Sequence, residues 1–143
     1  MGLFDGLQPS VVPPMSLGRR NPGHKIMLED TARVGPYREA LARLVTPSTR
    51  VLDLGCGTGL LGLLALQAGA KTLYAIEAAN TVQVARRVAV DSGFADRVRF
   101  FRGLSSRVAL PERVDVLVAE VLGDFCYEEQ ILDITIDARD RFL

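Results

Sequence analysis

A glycine-rich run, DLGCGTG at residues 53–59, is the part of the sequence best suited to ligand chemistry. It follows an apolar, strand-like run and precedes a helix-like stretch that begins at Leu60, so the run itself forms a strand-to-helix turn. Glycines in such a turn let the backbone approach a ligand closely, and here they are Gly55, Gly57 and Gly59. The alternative is a tight turn that binds no ligand. The position of the run between a first strand and a first helix favours a nucleotide-like ligand instead.

An acidic residue, Glu77, stands 22 residues after Gly55, at the end of the next strand-like run. This is the spacing of a carboxylate that accepts hydrogen bonds from both ribose hydroxyls of a nucleotide. The dinucleotide fingerprint would need a glycine where Leu60 stands. Asp53 would repel a pyrophosphate but suits the ammonium and sulfonium groups of S-adenosyl-L-methionine, so we predict that cofactor.

Strand-like and helix-like stretches alternate along the rest of the chain. The strand-like runs cover residues 51–54, 72–77, 98–101 and 114–120; the helix-like stretches cover residues 60–68, 81–91 and 128–141. The strands are apolar throughout, which is typical of a parallel sheet covered on both faces. We therefore predict an α/β fold with a Rossmann-like parallel sheet of at least four strands.

The N-terminal third has a different pattern. Residues 1–23 contain four prolines and are expected to form a flexible segment. From residue 24 to about residue 45, apolar positions recur at three- and four-residue steps around Gly35-Pro36, which predicts two short helices that meet there. The predicted organisation is a flexible segment at 1–23, N-terminal helices at 24–49 and the Rossmann-like domain at 50–143.

Composition narrows the function classes. The 143 residues suit one domain, and 17 basic residues balance 17 acidic ones, so net charge predicts neither a nucleic acid nor a membrane partner. The two cysteines, Cys56 and Cys126, have no metal-ligand spacing, and no metal is predicted. The N-terminus does not have the pattern of a signal peptide, so we expect a cytoplasmic protein.

Residues 51–70, VLDLGCGTGLLGLLALQAGA, resemble the cofactor-binding motif of the protein arginine methyltransferases, a family of class I methyltransferases. The resemblance extends upstream to the helices that in this family close over the cofactor, with matches at His24, Met27, Leu28, Asp30, Arg33 and Tyr37. It implies that Arg33 holds the cofactor's carboxylate and that Met27 packs beside the sulfonium, with His24 in the same site. Without the resemblance, Met27 would be interpreted as a core residue, Arg33 as a solvated helix charge and His24 as a residue at the start of a helix.

Residues 114–132, VDVLVAEVLGDFCYEEQIL, resemble the double-glutamate hairpin of the same family. Glu120 would end the fourth strand, and Glu129 follows nine residues later. Two carboxylates that only accept hydrogen bonds suit a guanidinium, which only donates them. The resemblance therefore implies that both glutamates are catalytic, although Glu129 could instead be an acid that complements a helix N-terminus.

The chain also departs from the family pattern. After Glu120 the sequence VLGD at 121–124 keeps only the glycine of the family's aromatic-Met-Gly-Tyr run. Ser105 and Ser106 stand where relatives often place a glutamate against the adenine amino group, which puts Ser106 among the implied cofactor residues. Relatives continue beyond the position of Leu143 with a fifth strand and a β-barrel, so we expect an incomplete class I methyltransferase domain. Its fourth strand would be left as an unpaired apolar edge, which indicates either a fragment or an interface.

These observations predict an S-adenosylmethionine-dependent methyltransferase similar to protein arginine N-methyltransferases. The expected partners are an arginine-containing protein or peptide substrate and, in an oligomer, a second copy of the chain. Two alternatives stay open. One is a cofactor-binding but catalytically silent fragment or subunit, and the other is a methyltransferase that acts on a substrate other than arginine.

Overall fold

The computed structural model describes residues 31–120 and 131–143, so the N-terminal segment 1–23 and the residues 24–30 lie outside it. The elements alternate along the chain as the sequence predicts. In chain order they are α1 (Thr31–Leu44), β1 (Arg50–Leu54), α2 (Leu60–Gln67), β2 (Thr72–Glu77), α3 (Val82–Asp91), β3 (Val98–Arg102), β4 (Val116–Ala119) and α4 (Ile131–Phe142). Short 3-10 turns at Ala95–Arg97 and Ser105–Arg107 flank β3.

The four strands form one parallel sheet in the order β3-β2-β1-β4, which confirms the predicted fold class. In its register Leu54 lies beside both Ile76 and Ala119, and Glu77 lies beside Arg102. Because the strands are parallel and end almost level, the segments that follow them meet at one edge of the sheet. We call this edge the carboxyl edge.

Helices cover both faces of the sheet, and β1 and β2 are buried along almost their whole length. On one face, Val51 and Leu73 pack against α1 and α2. On the other face, Leu52 and Tyr74 pack with Ala138 of α4. In the described residues, no helix is both long and apolar enough to cross a membrane.

Helix α1 corrects one prediction, because it continues through Gly35 and Pro36 where the sequence predicted a break. A proline inside a helix removes one backbone hydrogen bond and crowds the residue before it. Gly35 carries no Cβ for the proline ring to clash with, which reduces this cost.

Strand β4 is shorter than its predicted span of 114–120, because contacts outside the strand pairing take up its first residues. The Val114 amide donates to the Phe142 carbonyl, and the Asp115 amide donates to the Arg50 carbonyl. The Arg50 guanidinium also forms an ion pair with Asp115 at 2.9 Å, and this pair lowers the pKa of Asp115 to about 2. These contacts fix the start of β4 beside β1.

Candidate functional site

The glycine turn between β1 and α2 is folded tightly against the end of β2. Gly55, Gly57 and Gly59 all have positive φ angles, of 70°, 52° and 88°, which residues with a side chain rarely adopt. The amides of Gly55 and Cys56 both donate to the Ile76 carbonyl, at 2.9 and 3.0 Å. The turn at 55–59 therefore needs its glycines for backbone conformation, and their predicted role in a close approach to a ligand stays a prediction.

The Glu77 carboxylate joins the glycine turn to the segment after β2. Its Oε2 accepts a hydrogen bond from the Gly57 amide at 2.7 Å, and its Oε1 accepts one from the Ala79 amide at 2.7 Å. A carboxylate has about four acceptor positions, so these two bonds leave others for a ligand. Glu77 is half-buried at the carboxyl edge, where the predicted ribose would lie.

Asp53 lies directly beneath the glycine turn, and its predicted suitability for the cofactor's positive groups stays a prediction. Its side chain is only 2% exposed, beneath the turn, and its Oδ2 accepts a hydrogen bond from the Gly62 amide of α2 at 2.8 Å. That amide is one of the first four in the helix, which have no partner within it. Asp53 therefore caps α2 from inside the core.

The pKa of Asp53 is raised to about 7, mainly by burial and to a smaller extent by the charge of Glu77, while the Gly62 hydrogen bond opposes the shift. The folded chain thus binds this proton more tightly than the unfolded chain, whose aspartate titrates near 3.8. The free energy of unfolding should therefore fall as pH rises from about 4 to about 7.

We expect Asp53→Asn to remove this pH dependence. The amide oxygen can still accept the hydrogen bond from Gly62, but it carries no charge to bury. The variant should match the parent near pH 4 and exceed it by about 1–3 kcal/mol at pH 8, as measured by urea unfolding. Asp96→Asn, at an exposed aspartate, is the control. A difference that does not vary with pH would contradict the assignment.

Gly62 is a functional position that the sequence reasoning missed. A Cβ placed there would lie 2.6 Å from Leu73 Cδ2 and 3.0 Å from Asp53 Oδ2. Glycine thus allows α2 to approach β1 and β2 closely enough for Asp53 to reach the helix amide. The sequence contained a signal for this role. A glycine inside a helix costs about 1 kcal/mol relative to alanine, so a glycine in the middle of an apolar helix indicates that packing leaves no room for a side chain.

Gly62→Ala should destabilise the chain by about 1–3 kcal/mol despite the better helix propensity of alanine, because the core has no room for the methyl group. Leu73→Val removes the nearest clashing atom. The double variant should therefore be more stable than the sum of the two single effects predicts. Chemical unfolding of all four proteins measures this coupling, and strictly additive effects would contradict the proposed clash.

Glu120 follows β4 directly and is half-buried at the carboxyl edge. The Tyr37 hydroxyl of α1 donates to the Ala119 carbonyl at 3.4 Å, so the first helix contacts the backbone beside Glu120. Tyr37 matches the family pattern, but the sequence predicted no function for it. Glu129 lies outside the described residues, so the pairing of the two glutamates stays a prediction.

The other predicted cofactor residues are only partly within the described structure. His24 and Met27 lie outside it, and Arg33 lies in the first turns of α1, where its predicted contact stays a prediction. Ser106 is exposed on the 3-10 turn after β3. The segment that carries it begins beside Glu77, because the Gly103 amide donates to the Glu77 carbonyl at 3.0 Å.

Cys56, inside the glycine turn, is a packing residue. It is buried against Ala75 and Ala85, and burial raises the pKa of its thiol. The side chain therefore stays protonated and is a poor nucleophile or metal ligand. Within residues 31–120 and 131–143, no cluster of three His, Cys, Asp or Glu side chains could hold a metal ion.

Comparisons with known proteins agree over this region. The family model described as ribosomal protein L11 methyltransferase (PrmA) matches residues 38–134. The chain is 38% identical over 123 residues to protein arginine N-methyltransferase 1 of Chlamydomonas reinhardtii. The matched region covers 84% of this chain and 36% of that protein. It thus spans about a third of the length of this curated relative.

Solved structures give the same result. A chain of the Trypanosoma brucei PRMT1 enzyme-prozyme heterotetrameric complex with AdoHcy is 34% identical with a TM-score of 0.77, over 83% of this chain and 38% of that one. Arabidopsis thaliana protein arginine methyltransferase 10, in an open conformation, is 35% identical with a TM-score of 0.76, over 84% of this chain and 35% of that one.

Proposed function

Because the chain belongs to the ribosomal protein L11 methyltransferase (PrmA) family and is a protein arginine methyltransferase-like class I methyltransferase domain, we propose that it binds S-adenosylmethionine for methyl transfer to a guanidinium group. The arrangement at Glu77 is the observation that carries the proposal. Its carboxylate lies beside the glycine turn, at the carboxyl edge of the sheet, and two of its acceptor positions hold the turn in shape.

Each part of the site has a proposed task toward the cofactor. Glu77 accepts hydrogen bonds from the ribose, and the glycine turn lets the chain approach the methionine part closely. Arg33 is proposed to hold the cofactor's carboxylate. The bound cofactor supplies a methyl group on a positively charged sulfur, and the residues of this chain only bind and orient it.

The proposed substrate is an arginine side chain of a protein or peptide. Glu120 and Glu129 would hold its planar guanidinium through several hydrogen bonds and offset its positive charge. Holding the nucleophile in near-attack geometry is the main contribution such a site makes, and no metal is needed. The heterotetrameric Trypanosoma brucei complex supports an oligomer as part of this proposal.

The second candidate function has two forms. This chain alone could bind the cofactor without catalysis, or it could transfer a methyl group to a substrate other than arginine. The chain spans 36% of the Chlamydomonas reinhardtii relative, and its run VLGD at 121–124 departs from the family pattern. Mass spectrometry of a guanidinium peptide and of a matched lysine peptide, after incubation with the cofactor, separates these possibilities.

Titration calorimetry with S-adenosylhomocysteine tests the cofactor proposal. We expect saturable binding of S-adenosylhomocysteine and none of NAD, because the turn has Leu60 where a dinucleotide site needs glycine. Adenosine is the control ligand, since it contains the ribose and adenine but not the carboxylate assigned to Arg33. Binding of NAD without binding of S-adenosylhomocysteine would overturn the proposal.

A further inference from the structure

The segment after β3, residues 103–108, is held at both ends. At its start, the Gly103 amide donates to the Glu77 carbonyl at 3.0 Å. Within it, the amides of Arg107 and Val108 donate to the carbonyls of Leu104 and Ser105, at 2.9 and 3.1 Å. The last two bonds lie within one short turn, so the position of the far end of the segment depends on contacts with other elements, among them the packing of Val108 against the core.

A second such contact comes from Arg141, near the C-terminal end of α4. Its Nη2 donates to the Ser105 carbonyl at 2.6 Å and its Nη1 donates to the Val108 carbonyl at 3.0 Å. The guanidinium is oriented by an ion pair with Asp137, one turn earlier, and lies over the Phe142 ring at 4.4 Å. The side chain is thus fixed on its own helix and reaches across to the segment.

The position of this segment along the sheet gives it a function. In a doubly wound sheet the ligand lies along the carboxyl edge and contacts successive strand ends. The glycine turn after β1 is the proposed contact of the methionine part of the cofactor, and Glu77 at the end of β2 is that of the ribose. The strand order then places the end of β3 next, beyond the ribose, which is where the adenine ring would lie.

We propose that Arg141 is a positioning residue for adenine recognition: by holding the carbonyls of Ser105 and Val108, it fixes the segment 103–108 as one wall of the adenine site. This inference rests on the proposed function, since it needs a bound adenosyl cofactor. Lysine could not replace the arginine fully, because only a planar fork reaches two carbonyls and a carboxylate together.

Calorimetry on the 143-residue chain tests the role with two ligands, S-adenosylhomocysteine and S-inosylhomocysteine, which differ at the adenine amino group. Arg141→Met should weaken S-adenosylhomocysteine binding by about tenfold and reduce the preference for it over the inosine ligand. Arg141→Lys should recover only part of each loss. Arg139→Met is the matched control, because its guanidinium binds Asp140 on the exposed side of the same helix and should change neither value.

The measurements separate positioning from simple stabilisation. A lower melting temperature in Arg141→Met, with unchanged affinity and unchanged preference between the two ligands, would mean that Arg141 only packs α4 and would overturn the inference. If the unchanged chain binds neither ligand, the proposed function fails, and amide hydrogen exchange then decides the role of Arg141. Faster exchange at Arg107 and Val108 in Arg141→Met supports the hold on this segment, and unchanged exchange refutes it.

Discussion

Replacing Glu77 with alanine is expected to weaken S-adenosylhomocysteine binding by about a hundredfold, or about 3 kcal/mol. Two losses combine in this variant. The ribose loses a charged acceptor, and the amides of Gly57 and Ala79 lose the carboxylate that holds them at 2.7 Å. The glycine turn would then have to be ordered by the ligand itself, which costs further free energy.

Glu77→Gln separates the two losses. Its single amide oxygen can accept from one backbone amide, while its NH₂ group faces the other, so the turn should be only half held. We expect an intermediate affinity in calorimetry. Asp96→Ala, at an exposed carboxylate before β3, controls for the change in net charge. Unchanged affinity in Glu77→Ala would remove Glu77 from the cofactor site and leave it a purely structural clamp.

Glu120→Gln is expected to reduce methyl transfer to a guanidinium peptide by at least about a hundredfold while S-adenosylhomocysteine binding stays within about twofold. The amide keeps the shape of the side chain. It removes the negative charge and turns one acceptor into a donor aimed at a group that only donates. The assay is transfer of a radiolabelled methyl group to that peptide, with the unchanged protein measured in parallel.

The same substitution at Glu129 tests whether the two glutamates act together. Glu129→Gln should lose activity to a similar extent, and the double variant should be hardly worse than either single one if both carboxylates hold one guanidinium. Full activity in Glu129→Gln would assign that residue to the start of a helix. Retained activity of both variants toward a substrate without a guanidinium would favour the second candidate function.

The order and type of the elements could be predicted because their signals are local. Apolar strands alternate with helices that end at glycines, and this alternation predicted the parallel sheet. The spacing from Gly55 to Glu77 predicted that the glycine turn and the Glu77 carboxylate lie at the same edge of the sheet. The continuous helix at Gly35 and Pro36 escaped prediction because the strength of a proline break depends on the residue before it.

The direction of Asp53 and the contacts of Arg141 could not be predicted in the same way. β1 is buried on both faces, so its apolar pattern does not reveal which face each side chain points to. Only the packing of α2 against that strand places Asp53 under the helix amides. Arg141 contacts a carbonyl 36 positions earlier in the chain, a pairing that sequence spacing does not encode.

The hydrogen bond from Tyr37 to the Ala119 carbonyl has a consequence for how cofactor and substrate affinities depend on each other. It connects the helix that contains Arg33 with the backbone that carries Glu120. A ligand that shifts α1 through Arg33 would therefore also shift the end of β4, where Glu120 is the proposed catalytic residue. Thermodynamic reciprocity requires that a cofactor which tightens substrate binding through this contact is itself bound more tightly, by the same factor, once substrate is present.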